Sequence, residues 1–311
     1  MPGLEGTSLG RYRLERRLGR GGMAEVYLAN DQRMHRMVAI KVVSTSQTEF
    51  AERFSRETEA MGNLHHDHIL PAYDYGEQEP WHYLVMPYME HGTLSDQLKQ
   101  GPLSLEEAGA LFQQIAAALQ YAHKAGFIHR DIKPSNILLR DEQYAYLADF
   151  GLARVLERGR DLTVTGTLLG TPEYMAPELS EGPAGISSDT YALAVVLYEM
   201  ISGRVPFQGD SAISIFWKHI RDYPSAPSRY NPAIPSEVDR VLMRALDKDP
   251  QRRYPTPLAL SQAYQDVLAG VDDMPSLYDT EVLTDIPAQP DPVPPVLKPA
   301  PLEQAQPARI I

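Results

Sequence analysis

The sequence of 311 residues predicts an α+β protein in which a β-rich part precedes a mainly helical part. Short runs of alternating or β-branched apolar residues dominate the chain up to about residue 86, and apolar residues at helical spacing dominate from Gly92 onward. Past about Gly270 the composition changes, and nine prolines but no glycine follow. These observations predict two folded lobes and a tail.

The first lobe is predicted to contain several strands and one helix. Tyr12–Leu14 alternate into a glycine turn, and Glu25–Ala29 alternate out of it. Met37–Val43 is apolar and rich in β-branched residues, and His82–Met86 is a further apolar run, so both are predicted strands. Phe50–Leu64 carries apolar residues at spacings of three, four and seven, which predicts a helix.

Two helix start signals mark the second lobe. Ser104 and Glu107 have the spacing of a capping box, and apolar residues then recur at helical intervals as far as Ala122. Thr256 followed by Pro257 is a second such signal, because threonine caps helices well and proline suits the first helical position. The second lobe is therefore predicted to be mostly helical.

The domain boundaries follow from these changes of pattern. Seven acidic residues stand against Lys298 and Arg309 in residues 271–311, with one aromatic residue, so this segment is predicted to be disordered. The predicted divisions are a flexible leader (1–10), a folded domain (11–268) with a first lobe (about 11–86), a hinge (about 87–90) and a second lobe (about 91–268), and a Pro-rich acidic tail (269–311).

Composition excludes several classes of protein. The net charge of -12 argues against a nucleic-acid-binding surface, which is normally basic. The absence of cysteine excludes disulfides and Cys-type zinc sites. The longest strongly apolar stretch, Tyr191–Tyr198, is far shorter than the ~20 residues of a membrane helix, and no secretory signal is visible. A soluble, cytoplasmic protein with no membrane segment in this chain is predicted.

Five motifs then occur in a fixed order at workable spacings. They are Gly19-Arg20-Gly21-Gly22, Val38-Ala39-Ile40-Lys41, the octapeptide His129–Asn136, Asp149-Phe150-Gly151 and Ala176-Pro177-Glu178. On these motifs the chain resembles the protein kinase superfamily and, within it, the bacterial eukaryotic-like Ser/Thr kinases, over roughly residues 11–268. The resemblance implies a two-lobed protein kinase fold and transfer of the γ-phosphoryl group of ATP to Ser or Thr hydroxyls of proteins.

The glycine turn lies between two predicted strands and not between a strand and a helix. This position favours a loop that covers phosphates and disfavours a dinucleotide-binding site. Glycine lets backbone N–H groups approach phosphates without a Cβ clash. Ala24 stands where the family pattern has a third glycine. The resemblance implies an ATP-binding set of Leu18, Gly19, Gly21, Gly22, Val26, Ala39, Lys41, Met86, Tyr88, Met89 and Leu138.

The resemblance also implies the catalytic roles. Lys41 is expected to bridge the α- and β-phosphates, held in place by Glu57 on the predicted helix. Asp131 is expected to accept or orient the hydroxyl proton. Asn136 and Asp149 are expected to hold Mg²⁺, a cation that prefers hard oxygen ligands and for which Mn²⁺ can substitute.

Lys133 is expected to steady the transferred phosphate, and Thr171 to reach back to the catalytic Asp and Lys; both are typical of Ser/Thr kinases. Thr163 and Thr165 match activation-loop phosphorylation sites of related bacterial kinases. A phosphate there would pair with Arg130.

Structural anchors complete the match. Asp189 is expected to hold the backbone of the catalytic loop. Glu178 is expected to pair with Arg253, with Arg252 as the adjacent alternative.

Two alternatives stay open. A pseudokinase that binds partners without catalysis is disfavoured because Lys41, Asp131, Asn136 and Asp149 are all present. A small-molecule kinase is disfavoured by the complete segment 170–178, which is typical of kinases that act on peptides.

The expected partners are protein substrates with Ser or Thr, phospho-dependent binding partners and a second kinase domain in a dimer. In many bacterial relatives a segment similar to the tail leads to a membrane helix. The chain is therefore expected to be either a soluble kinase or the cytoplasmic part of a longer membrane-anchored one.

Overall fold

The computed structural model describes residues 3–21, 24–44, 58, 62, 64–150 and 171–271. Of the helix predicted over Phe50–Leu64, Thr58 and Gly62 are described and helical. Outside the described residues lie Gly22, Glu57, Thr163, Thr165 and residues 272–311, which make up most of the predicted tail.

An antiparallel sheet forms the first lobe. Its strands follow the spatial order β1-β2-β3-β4-β6-β5. The strands are β1 (Ser8–Leu9), β2 (Tyr12–Arg20), β3 (Glu25–Asp31), β4 (Arg36–Ser44), β5 (Asp74–Gln78) and β6 (Trp81–Pro87). Every strand predicted from the sequence is present. Strand β6 continues one residue into the predicted hinge, because Pro87 is still paired with Val38 of β4.

Successive side chains of a strand point to opposite faces, and in this sheet both faces carry apolar clusters. One face buries Tyr12, Leu14 and Tyr27 in a cluster of its own. The opposite face carries Ala39, Met86 and further apolar residues that meet the second lobe. This second face forms the roof of the cleft described below.

The leader differs from its prediction as a flexible segment. Leu9 is 2% exposed and pairs with Tyr12, so that β1 extends the sheet. Gly6 N donates to Leu14 O at 2.8 Å, and Leu14 N donates to Thr7 O at 2.9 Å. The edge of β2 offers unpaired backbone groups, and the leader satisfies them.

Helices make up most of the second lobe, as predicted. They are α1 (Leu94–Leu98), α2 (Leu105–Lys124), α3 (Ile186–Ser202), α4 (Ala212–Arg221), α5 (Ser236–Ala245) and α6 (Pro257–Leu268). A two-stranded hairpin, β7 (Ile137–Asp141) and β8 (Tyr144–Leu147), lies between α2 and α3 in the chain.

The predicted helix caps form. Ser104 Oγ accepts from Glu107 N at 3.2 Å, and Glu107 Oε2 accepts from Ser104 N at 3.0 Å. Thr256 Oγ1 accepts from Ala259 N at 3.1 Å. The apolar run Tyr191–Tyr198 is buried throughout on α3, the central helix of the lobe. In the part of the chain that the structure describes, no helix combines the length and apolar character needed to cross a membrane.

Candidate active site

The octapeptide His129–Asn136 follows α2 and ends in the short turn that leads into β7. Asp189 of α3 holds its backbone: Oδ2 accepts from His129 N at 2.8 Å and Oδ1 accepts from Arg130 N at 2.7 Å. Arg130 has a left-handed backbone with φ 67°. Such a conformation costs a non-glycine residue about 1–2 kcal/mol, and the two charge-assisted bonds from Asp189 offset that cost.

Two polar side chains contact Asp131, and a third is linked to it through Lys133. Lys133 Nζ lies 2.8 Å from Asp131 Oδ2, and Asn136 Nδ2 donates to the same oxygen at 2.9 Å. Asn136 Nδ2 also donates to Asp131 O at 2.8 Å, and Lys133 Nζ donates to Thr171 Oγ1 at 3.2 Å. The four side chains form one polar cluster in the loop.

An ion pair that is buried on the lysine side and 34% exposed on the aspartate side joins the sheet to the second lobe. Lys41 of β4 is 5% exposed, and its Nζ lies 3.0 Å from Asp149 Oδ1. Burial alone would raise the pKa of the Asp149 carboxyl, but the Lys41 ammonium and its hydrogen bond outweigh burial and lower that pKa. Asp149 is therefore an anion at neutral pH. Its backbone is also left-handed, with φ 64°.

An apolar cleft lies under the sheet. Ala39 and Met86 are neighbours across β4 and β6, and Leu138 of β7 belongs to the same cluster. The other predicted ATP-binding side chains that pack on this cluster are Leu18, Val26, Tyr88 and Met89. Gly19 and Gly21 lie at the end of β2, where Gly21 N donates to Ala24 O at 2.8 Å. The apolar members of the predicted set therefore lie together in one cluster.

Glu178 pairs with Arg253, and the alternative partner Arg252 does not reach it. Arg253 Nη2 lies 2.7 Å from Glu178 Oε2, and Nη1 lies 2.9 Å from Oε1. The Arg253 side chain is fully buried and also donates to the carbonyls of Asp247, Ser187 and Lys248. Arg252 is exposed, with its Nε 3.8 Å from Asp249 Oδ2.

Sequence reasoning missed two polar contacts that fix the loop. His123 on α2 places Nε2 2.8 Å from Asp189 Oδ2, and His129 Nε2 donates to Ala148 O at 2.9 Å. The His129 ring also meets the Phe150 ring edge-on, with centroids 4.6 Å apart. A histidine on an apolar helix gives no sequence signal for such a contact, because its partner is 66 residues away.

Comparison with known proteins decides the family. The family model described as the protein kinase domain matches residues 12–265 of the chain. The chain belongs to the protein kinase family. This is the family that the five motifs predicted.

Two curated relatives of this kinase domain are bacterial Ser/Thr protein kinases. The chain is 41% identical to PrkC of Bacillus subtilis (strain 168) over 252 residues, which cover 79% of the chain and 39% of PrkC. It is 42% identical to PknE of Mycobacterium tuberculosis (strain ATCC 25618 / H37Rv) over 273 residues, which cover 86% of the chain and 48% of PknE. The predicted resemblance to bacterial Ser/Thr kinases is confirmed, and the chain spans less than half the length of these relatives.

The fold of the kinase domain is also that of a solved structure. The crystal structure of Rad53 1-466 in complex with AMP-PNP matches with a TM-score of 0.69 and 24% identity, over 82% of this chain and 65% of that chain. The predicted two-lobed protein kinase fold is confirmed.

Proposed function

We propose that this chain is a Ser/Thr protein kinase that transfers the γ-phosphoryl group of ATP to hydroxyl groups of proteins. The observation that carries the proposal is the ion pair between Lys41 and Asp149, whose charged atoms are 3.0 Å apart although the residues are 108 positions apart. Lys41 follows Ala39 by two residues on β4 and so shares its face of the sheet, and the ion pair would supply a cation and an anion beside the apolar cleft for the phosphates of a nucleotide. The names of PrkC and PknE support the same activity.

ATP would bind with its adenine in the apolar cleft. Leu18, Val26 and Ala39 would cover one face of the ring, and Leu138 would support the other. Lys41 would then contact the α- and β-phosphates, and the backbone N–H groups of Gly19 and Gly21 would approach them. Rad53, whose fold this domain shares, was solved in complex with AMP-PNP, which agrees with nucleotide binding by a protein of this fold.

Asp149 and Asn136 fit a hard divalent cation such as Mg²⁺. Asp149 stays ionised, and Asn136 uses its amide nitrogen on Asp131, which leaves the amide oxygen as the group it can offer a cation. Mg²⁺ commonly takes one or two protein ligands and completes its shell with substrate phosphates and water. When bound, Mg²⁺, or Mn²⁺ in its place, would neutralise charge on the phosphates. Side chains of the protein would orient the acceptor hydroxyl, take its proton and hold the transferred group.

Asp131 would orient the acceptor hydroxyl and take its proton as the oxygen attacks the γ-phosphorus. Lys133, 2.8 Å from Asp131, would hold the transferred group's oxygens. Thr171 accepts from Lys133 and so ties this lysine to the segment that would present the substrate. The Ser/Thr oxygen forms the new P–O bond, and ADP leaves with the electrons of the broken one.

Activation by autophosphorylation is part of the proposal. Thr163 and Thr165 precede the segment that begins with Thr171, and a phosphate on either one would supply a dianion to Arg130. The Arg130 backbone is already fixed by Asp189. Mapping of phosphorylated residues after incubation with ATP tests this part, and unmodified Thr163 and Thr165 in an active enzyme would contradict it.

A pseudokinase is the rival to exclude. Transfer of ³³P from γ-labelled ATP to a generic protein substrate tests the proposal, with Asp131→Asn as the inactive variant. Loss of a positioned general base should cost about 10²–10⁴-fold in kcat. Asp210→Asn, at an exposed position, should keep wild-type activity. The proposed activity would be excluded if the wild-type protein transferred no label to protein. Transfer of label only to small molecules would indicate a small-molecule kinase.

A further inference from the structure

The carboxylate of Glu25 lies where it can brace the two strands that enclose the glycine turn. Glu25 is the first residue of β3, directly opposite Arg20 at the end of β2. Its Oε1 lies 3.5 Å from Arg20 Nε and 3.6 Å from Arg17 Nη1. The Glu25 side chain is only 16% exposed, whereas the two arginines are 60% and 38% exposed. One carboxylate therefore holds two cations of the opposite strand.

The pairing of β2 with β3 is irregular next to these ion pairs. Its register shifts between Arg17 and Gly19, so that Leu18 occupies a bulge without a paired residue. A bulge disrupts the local hydrogen bonds and re-aims a side chain. Here the side chain concerned is Leu18, which packs on the apolar cleft together with Val26, the neighbour of Glu25.

The second oxygen of Glu25 is tied to the core of the sheet. Tyr27 is fully buried on the face opposite Val26, and its hydroxyl donates to Glu25 Oε2. That hydroxyl also accepts from Leu4 N at 3.3 Å, so the leader belongs to the same network. Burial and the hydrogen bond to Glu25 raise the pKa of Tyr27, so the hydroxyl stays protonated and able to donate. Tyr27 therefore holds one oxygen of the Glu25 carboxylate, while the other oxygen contacts Arg17 and Arg20 of β2.

We propose that Glu25 is a positioning residue for nucleotide binding: through Arg17 and Arg20 it sets the distance between Leu18 and Val26, the roof of the cleft. The inference rests on the proposed use of ATP. Glu25 takes no part in phosphoryl transfer, so its loss should weaken nucleotide affinity and leave the chemical step intact. This split between KM and kcat separates positioning from a general structural role.

The first test is to measure the Kd of Mg²⁺-ADP for the full chain by calorimetry. Glu25→Gln keeps an acceptor for Tyr27 but loses the charge. Because two partly exposed ion pairs are removed, the Kd for ADP should rise about threefold, and the KM for ATP should rise by a similar factor with kcat changed less than about twofold. Glu15→Gln removes an exposed acid from β2 of the same hairpin and should leave both constants unchanged.

Two further variants decide whether the arginines carry the effect. Arg17→Gln/Arg20→Gln should raise the Kd as Glu25→Gln does, and adding Glu25→Gln to that pair should raise it no further, since the same contacts are already lost. Tyr27→Phe keeps the ring and should weaken binding in the same direction. Thermal unfolding of each variant checks that the fold is kept.

The proposal is overturned if Glu25→Gln binds ADP like the wild type, if its kcat falls while its KM stays constant, or if its effect adds fully to that of the arginine pair. Wild-type protein that binds ADP but transfers no phosphate would contradict the proposed function only, because the affinity ratio of Glu25→Gln to wild type would still decide this inference.

Discussion

Asp149 combines two demands on a single carboxylate. It must stay ionised in a site that is partly shielded from water, and in the proposed function it would accept a cation in addition to the Lys41 ammonium. The 3.0 Å contact with Lys41 meets the first demand, because it lowers the pKa of the carboxyl against the effect of burial. The octapeptide and this carboxylate are recognisable in the sequence, but the contact between Lys41 and Asp149 is not.

Replacement of the Asp149 carboxylate should change how the kinase activity depends on the Mg²⁺ concentration. Asp149→Asn removes a charged oxygen ligand, so the Mg²⁺ concentration for half-maximal activity should rise at least about tenfold, as for other changes to metal sites. Titration of Mg²⁺ at fixed ATP measures this, with Asp210→Asn as the matched control. An unchanged half-maximal concentration would contradict a metal-binding role for Asp149.

An ion pair between two distant segments, Glu178 with Arg253, stabilises the second lobe. Arg253, after the short turn Pro250–Arg252, reaches back to Glu178 and to three backbone carbonyls. The pair is buried on the arginine side and 19% exposed on the glutamate side. Removing one partner of such a pair leaves an unpaired charge in a site with little water, which is more costly than loss of a surface ion pair.

Arg253→Met should therefore lower the free energy of unfolding by about 3–5 kcal/mol. Arg252→Met is the matched control, because the neighbouring arginine is exposed and should lose at most about 1 kcal/mol. Urea denaturation of both variants measures the difference. Equal losses at the two positions would show that the Glu178 contact does not stabilise the fold.

Helices α3 and α4 are joined by a buried histidine. His219 Nδ1 lies 2.8 Å from the Tyr191 hydroxyl, and Lys248 Nζ donates to the His219 carbonyl at 2.7 Å. The Phe207 ring meets the imidazole edge-on. Burial, aided by the nearby Lys248 cation, lowers the pKa of His219 to about 3.

This depressed pKa gives a pH dependence of known sign. As pH falls below about 6.5, the unfolded chain protonates His219 while the folded chain does so only near pH 3, so stability is lost on acidification, by about 2 kcal/mol at pH 5. His219→Asn, which keeps an acceptor for Tyr191, should flatten the decline in unfolding free energy between pH 7 and pH 5. The exposed His91→Gln should keep the wild-type slope. A parallel slope in His219→Asn would refute the assignment.

At the scale of the whole molecule, the described residues end at Val271. Helix α6 ends at Leu268, and Val271 N still donates to Asp266 O at 2.9 Å. The match to the family ends at residue 265, close to this point. The acidic, Pro-rich composition of residues 271–311 predicts that this part adds no core to the kinase domain.

A chain truncated after Val271 should keep the unfolding free energy and the rate of peptide phosphorylation of the full chain. Urea denaturation and a transfer assay on the two proteins make the comparison. A truncation after Ala259, which removes most of α6, serves as the opposite control and should unfold the domain. A large loss on truncation after Val271 would show that the tail packs on the kinase domain.

The sequence by itself determined the family and the order of the lobes, and it predicted the residues of the candidate site. Those signals are local: a cap acts over three residues, as in Ser104 and Glu107, and the octapeptide is contiguous. Strand alternation and helical periodicity likewise act over a few residues, which is why strands β2, β3, β4 and β6 and the capped helices α2 and α6 occur where they are predicted.

Only the tertiary structure decided which of these groups meet. It joins Lys41 to Asp149 across 108 positions, and it selects Arg253 over the adjacent Arg252 as the partner of Glu178. It also pairs Ser8 and Leu9 of the predicted leader with the edge of β2, which satisfies backbone groups that the leader's own sequence leaves open. Contacts of this kind depend on how the whole chain packs, and neighbouring residues in sequence carry no information about them.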